Sequence, residues 1–282
     1  MTGQATRLDV VVLSCGDLGV EVANRLRTAQ GVRRVCLVTA PYRRKRLGLR
    51  GKVREVYRAQ GLRGLVAALA RKLLQPLRRR RSSEPDSPPT EALHPDIRHM
   101  HFSDFHSAEC VEALRALAPD LGVVAGTYIL KPEVFDVPRL GSVNLHSGKV
   151  PEYRGSAPAF WELYHAEPVV GITIHRVTSA LDAGNVLRQE LFPLDSAPEG
   201  DPVAYIQRYR REVLRPNGVR MLAEVVAALA AGTSAERPQE HAHARTFKSP
   251  DHDAVRVETG RHRLRHPQAA DAKTGADQQD GG

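Results

Sequence analysis

Cysteine is scarce in this 282-residue chain: Cys15, Cys36 and Cys110 only. An odd, widely spaced set gives neither a disulfide framework nor the paired spacing of a zinc site. Aromatic residues make up 5% and there is a single tryptophan, Trp161. No run approaches the ~18 consecutive apolar residues that a membrane span requires. The opening MTGQATRLDVVVLSCG lacks the basic start, longer apolar stretch and small-residue cleavage site of a secretory signal. These absences exclude a collagen, a coiled coil, a secreted mini-protein and an integral membrane protein. What is left is an expected cytoplasmic protein. Its 41% apolar content suffices for one larger domain with appendages.

The net charge of +9 is unevenly placed. Residues 42–81 hold fifteen Lys or Arg against one acid, Glu55, so the rest of the chain is slightly acidic. The basicity belongs to a segment, and an overall basic balance is no argument for nucleic-acid binding by the whole domain.

LDVVVLS (8–14) is a short run rich in Val and Leu, which predicts a buried parallel strand. Leu18, Val22 and Leu26 then repeat at helical spacing, and RRVCLVT (33–39) predicts a second strand. A β-α-β opening implies an α/β fold with right-handed crossovers. Residues 42–81 predict one or two helices with Leu62, Leu65, Val66, Leu69, Leu73 and Leu74 on one side, and SSEPDSPPTEALHPD breaks them. Further strands are expected at 97–102, 120–126 and 142–146, with a helix over 107–118. VGITIHRV (170–177) and NVLRQELFP (185–193) alternate like a strand pair. Residues 200–231 read as mainly helical, with a break at Pro216-Asn217-Gly218, and Thr246-Phe247-Lys248 reads as a late strand packing back on the domain. The organisation expected is a domain over 1–232, carrying a basic helical insertion and linker at 42–95, an extension at 233–266 and a disordered tail at 267–282.

The chemically informative residues are Asn144 and His146 at the end of a predicted buried strand, then Pro151, Arg154-Gly155, His175 and Asp182. Strand side chains alternate, so Asn144 and His146 share a face. They lie at a carboxyl end, where open α/β sheets bind ligands. An amide and an imidazole converging there polarise a carbonyl and move a proton near neutral pH. Asp182, arriving from another loop, would orient the imidazole and favour its charged form. Such a set suits acyl or one-carbon transfer through a tetrahedral intermediate. A lone Asn-x-His is more often an ordinary strand end. The long-range spacing to Asp182 and the Pro-x-x-Arg-Gly turn turn the balance towards function.

At these residues the sequence resembles the formyltransferases that use 10-formyltetrahydrofolate, a family that includes glycinamide ribonucleotide, methionyl-tRNA and sugar N-formyltransferases. The features that carry it are Asn-x-His at 144–146, Pro151, Arg154-Gly155 and Asp-x-Gly at 182–184. The resemblance runs from about 120 to 193 and, more weakly, over the opening. It implies a Rossmann-like open, mostly parallel sheet with helices on both faces. It implies Asn144, His146 and Asp182 as the catalytic trio. The pterin of the co-substrate would lie against Tyr128, Ile129 and Leu130 on one side, and against the loop from Val177 through Leu181 to Asp182 on the other. His175 would help to hold water near the acid, and Lys149, Arg154 and His175 are candidates on the acceptor side. Formyl would pass to a primary amine, small or nucleotide-linked, with an amino sugar favoured; no metal is expected.

There are departures. The family usually continues His-Pro-Ser-Leu-Leu-Pro, whereas here His146 is followed by Ser147, Gly148, Lys149, Val150 and Pro151. That loop lies beside the acceptor, so the departure bears on acceptor identity. Ser14-Cys15-Gly16-Asp17-Leu18-Gly19 lacks the phosphate loop of the glycinamide ribonucleotide enzyme, and Ser14 excludes a dinucleotide Gly-x-Gly-x-x-Gly. The chain is expected to hold neither the barrel domain of the tRNA enzyme nor a preceding regulatory domain. Two rival readings stand beside transfer: hydrolysis of the donor, and a non-catalytic protein of the same fold. The basic segment is read as a solvated helix pair, a collar for an anionic acceptor, an RNA contact or an anionic-membrane contact. His241 and His243, and Asp251-His252-Asp253, are read as solvated rather than metal-binding, and Cys15 as an inert thiol.

Overall fold

All seven residues of the first strand, β1 (Leu8–Ser14), are buried, which is why its sequence shows no polar alternation. The computed structural model describes residues 7–42, 91–195, 198–240, 242–250, 254, 255 and 258. Of the basic helices expected over 42–81, all but Tyr42 lie outside the described residues, as do most of their linker, the tail at 267–282, His241 and Asp251-His252-Asp253.

After β1 come α1 (Leu18–Arg27), β2 (Val32–Thr39), β3 (Arg98–His101), α2 (Ala108–Leu117), β4 (Leu121–Ala125), α3 (Pro132–Phe135) and β5 (Ser142–His146). The chain continues through β6 (Arg154–Gly155), α4 (Phe160–Tyr164), β7 (Val169–Arg176) and β8 (Val186–Pro193). It closes with α5 (Pro202–Tyr209), a π turn at Arg210–Leu214, α6 (Arg215–Ala231) and β9 (Thr246–Phe247). Among the described residues the main sheet has seven strands in the order β3-β2-β1-β4-β5-β7-β8. The first five are mutually parallel, and β7 and β8 are antiparallel to their neighbours. The Rossmann-like, mostly parallel architecture expected from the sequence is the observed one.

Strand alternation divides the core in two. Val10 and Val12 of β1, Val123 of β4 and Val143 and Leu145 of β5 pack in one cluster with Leu26 of α1 and Met221, Leu222 and Val226 of α6. Val11, Leu13 and Val124 face the other way, against Cys110, Val111 and Leu114 of α2 and Val134 and Phe135 of α3. Asn144 and His146 alternate with Val143 and Leu145, so they project on the α2–α3 side of the sheet. There they border an open cavity.

Sequence and structure part at Pro216-Asn217-Gly218. No break occurs, and α6 runs through with Pro216 in its first turn. A first-turn proline forfeits no helical bond, and the wide π turn before it absorbs the change of ladder. Asn217 Nδ2 donates to Val213 O at 2.9 Å, taking up a carbonyl at that joint. Gly218 is there for proximity: a Cβ would sit 2.8 Å from Leu145 Cδ1, so its absence lets α6 settle on β5. The late strand does return, as β9, pairing in parallel with β6. Among the described residues no helix is long and apolar enough to cross a membrane.

Candidate active site

The register of the sheet fixes the first part of the site. Val124 pairs with Asn144, and Asn144 with His175 of the antiparallel β7. Asn144 Nδ2 lies 3.1 Å from His175 Nε2. His175 Nδ1 donates to Arg176 O at 2.8 Å, so Nε2 carries the lone pair and accepts from Asn144. One N–H of the Asn144 amide is thereby used, and the other remains for a ligand.

His146 is fixed from the opposite side. Its Nε2 lies 2.8 Å from Tyr153 O; a carbonyl only accepts, so Nε2 bears the proton. The free lone pair of the neutral ring is on Nδ1, 3.6 Å from Asp182 Oδ2. Gly148 makes this possible, because a Cβ there would stand 2.4 Å from both His146 Nε2 and Tyr153 O. At Gly148 the departure after His146 thus has a steric counterpart.

Asp182 sits on the connection between β7 and β8 with a left-handed φ of 49°. Gly155 N donates to its Oδ2 at 2.8 Å, and its Oδ1 is 3.5 Å from His175 Nε2. Its main-chain carbonyl is gripped by Gln239 Nε2 at 2.9 Å. The same Gln239 amide donates to Gly184 O at 2.7 Å, and its oxygen accepts from Arg154 Nη2 at 2.6 Å. The buried Gln239 therefore ties the turn, the acid and the following loop together.

Burial opposes ionisation of Asp182, yet its contacts with His175 and His146 and the N–H of Gly155 together hold it down to about 2. His146 behaves otherwise than expected from sequence. Burial drives its pKa below the ordinary value, and Asp182 and the Tyr153 carbonyl offset only part of this. The ring is neutral near pH 7 and ready to accept a proton at Nδ1.

These groups border a cavity of about 570 Å³. Its walls include Tyr128, Ile129 and Leu130 after β4, and Val177 through Asp182 after β7. Tyr128 has its hydroxyl committed, donating to Asp104 Oδ1 at 2.6 Å and accepting from Phe105 N at 2.8 Å. Its backbone is what it has left to offer. Ile129 and Leu181 are exposed apolar side chains on the two loops. Lys149 is not among the lining residues; it pairs with Glu152 at 3.0 Å. Arg154 lines a neighbouring narrow hollow instead.

Sequence reasoning missed Tyr42 and Gln239. Tyr42 lines the cavity and meets Tyr128 edge-on at 6.5 Å. Its place just past the carboxyl end of β2 was the available signal. Nothing local marks Gln239. Among the described residues no cluster of three or more His, Cys, Asp or Glu is placed to hold a metal.

Residues 55–212 match the family described as formyl transferase. The chain is 36% identical over 141 residues to a methionyl-tRNA formyltransferase of Chloroflexus aggregans, covering 50% of this chain and 43% of that protein. It spans about two fifths of the length of the curated relatives it matches. A sugar N-formyltransferase from a Shewanella species superposes with TM-score 0.52 at 14% identity, over 86% of this chain and 76% of that one. HypX from Aquifex aeolicus in complex with tetrahydrofolic acid does so with TM-score 0.52 at 15% identity, over 88% and 31%.

Proposed function

The chain belongs to the formyl transferase family, and on that premise we propose that it transfers a formyl group from 10-formyltetrahydrofolate to a primary amine. The observation that carries this is the convergence of Asn144, His146 and Asp182, from two separate segments, on the wall of one cavity. The exposed Ile129 and Leu181 and the backbone at Tyr128–Leu130 suit a flat heteroaromatic ring with hydrogen-bonding edges.

The chemistry follows from the hydrogen bonds. The free N–H of Asn144 points to the formyl oxygen and stabilises the negative charge that grows there, an effect of about 2.7–4 kcal/mol for one such donor. The amine lone pair attacks the formyl carbon, and the carbonyl π pair moves to oxygen. His146 Nδ1 takes a proton from the attacking nitrogen, and the Asp182 carboxylate stabilises the imidazolium. The oxyanion then collapses, the bond from the carbon to N10 breaks, and His146 returns the proton to N10. Tetrahydrofolate and the N-formyl product leave.

For the acceptor we favour an amine carried on a phosphate-bearing molecule, with a nucleotide-linked amino sugar first and methionyl-tRNA second. The charge of residues 42–81 supports an anionic acceptor. The test incubates purified protein and 10-formyltetrahydrofolate with each acceptor and with none, following tetrahydrofolate and the N-formyl product. His146→Ala and Asp182→Ala should each lose at least ~100-fold. Full activity in either variant refutes the assignment, and equal tetrahydrofolate release without any amine makes the reaction a hydrolysis.

A further inference from the structure

The acceptor nitrogen presents a proton problem that the trio leaves open. An alkylamine is an ammonium ion at neutral pH and has no lone pair for attack. Across the reaction it sheds two protons. The second passes through His146 to N10. The first must go elsewhere before attack, and Asp182, held at about 2, is too weak a base to take it.

A narrow hollow adjoins the large cavity and shares His146, Gly155 and Ser156 with it. Tyr153, Arg154, Trp161, Glu162 and Phe247 are also in its wall, the Tyr153 hydroxyl being committed to Glu167. Its interior of about 10 Å³ has room for about one water. Glu162 of α4 is 2% exposed, and its Oε1 is buried with no hydrogen-bond partner. An unpartnered buried carboxylate oxygen is costly, and such a group calls for a reason. Packing alone supplies none, since α4 carries apolar Phe160 and Leu163 on its buried side.

The electrostatics agree. Burial pushes Glu162 up to about 7, against hydrogen bonds from its own N–H and that of Ala159 and against the Arg210 charge. Arg210 approaches from the π turn and Glu167 from beyond α4, while Arg154 and His146 line the hollow from β6 and β5. A carboxyl in this range takes a proton from an ammonium through a water and releases it to solvent.

We propose that Glu162 is the base that removes the acceptor's first proton, through one water in the hollow it shares with His146, converting bound ammonium into attacking amine. This rests on the formyl-transfer reading above. The proton balance is complete: R–NH3⁺ and the Glu162 carboxylate become R–NH2 and the carboxylic acid, which later gives its proton to water.

The test compares wild type with Glu162→Gln at pH 7 on two acceptors, a nucleoside-diphosphate-linked amino sugar and hydroxylamine, which is already uncharged at that pH. The variant should lose about 10- to 100-fold on the amino sugar and stay within about twofold on hydroxylamine, with unchanged binding of a non-transferable folate analogue. The wild-type kcat/KM for the amino sugar should rise through a pH near 7, and that rise should vanish in the variant. Equal losses on both acceptors, or no loss on either, overturn the proposal. Should Glu162→Gln fail to fold, Glu162→Asp carries the same comparison, its shorter carboxylate giving a smaller loss confined to the amino sugar. If wild type formylates neither acceptor, the formyl-transfer reading falls and takes this proposal with it.

Discussion

A methyl group added at Gly148 would occupy space that the site needs for its imidazole. The Cβ of Gly148→Ala would lie 2.4 Å from His146 Nε2 and 2.4 Å from Tyr153 O, the two ends of one hydrogen bond. Ordinary contact begins near 3.4 Å, so ring and carbonyl must each retreat by about 1 Å. Misplacement by about 1 Å can cost on the order of 100-fold in rate, and overpacking costs about 1–3 kcal/mol of stability. The expected result is a fall in kcat of roughly 100-fold with folate-analogue binding nearly unchanged, because the walls on the two cavity loops are untouched. Steady-state formyl transfer and a fluorescence titration measure the two quantities. A Gly148→Ala protein with more than half of wild-type kcat would show that the Nε2 anchor does not position His146, and the assignment of Nδ1 as proton acceptor would fail with it.

Other consequences follow from the same hydrogen bonds. Asp182 has its pKa lowered from 3.8 to about 2, so its ionised form contributes roughly 2 kcal/mol of stability. That contribution is complete above pH 3.8 and disappears as the pH falls through about 2; urea unfolding of Asp182→Asn should show a deficit at pH 7 that closes in acid, and a pH-independent deficit would contradict the shift. Gln239→Ala withdraws an amide that bonds Asp182 O, Gly184 O and the Arg154 guanidinium. It should cost about 3 kcal/mol and lower kcat, although Gln239 lines no part of the cavity; unaltered thermal midpoint and rate would remove it from the positioning of the acid. The lowered pKa of His146 predicts that transfer to hydroxylamine holds its rate down to pH values below 6.5, and a half-maximal point above 6.5 would restore the charged imidazole.

The sheet was legible because its inner strands are buried on both faces. LDVVVLS and LGVVA carry that fact in composition alone. Asn144 and His146 were legible because polar residues near a strand end stand out against such runs, and Asp182 through its long-range spacing from them. The charge state of His146 was not, since it depends on how completely the folded chain buries the ring. Pro216-Asn217-Gly218 reads locally as a stop. It acts as a joint, because the preceding π turn and the approach to Leu145 lie outside any sequence window. Gln239 and Glu162 were illegible for a related reason. An amide in a polar stretch and an acid beside a tryptophan look solvated until remote segments close on them, Arg154 and Asp182 on Gln239 and Phe247 of β9 beside Glu162.

That distant strand has a bearing on how fragments of this protein should be judged. Cutting the polypeptide after Gly232 would spare all seven strands of the central sheet and the buried residues of both halves of its core, losing only Ala254 and Val255 from the packing around one of them. It would discard Gln239 and β9, and with them the clasp on Asp182 and the edge that holds β6. Such a fragment would unfold cooperatively, give an ordinary circular dichroism spectrum, contain every residue of the family match, and be inert.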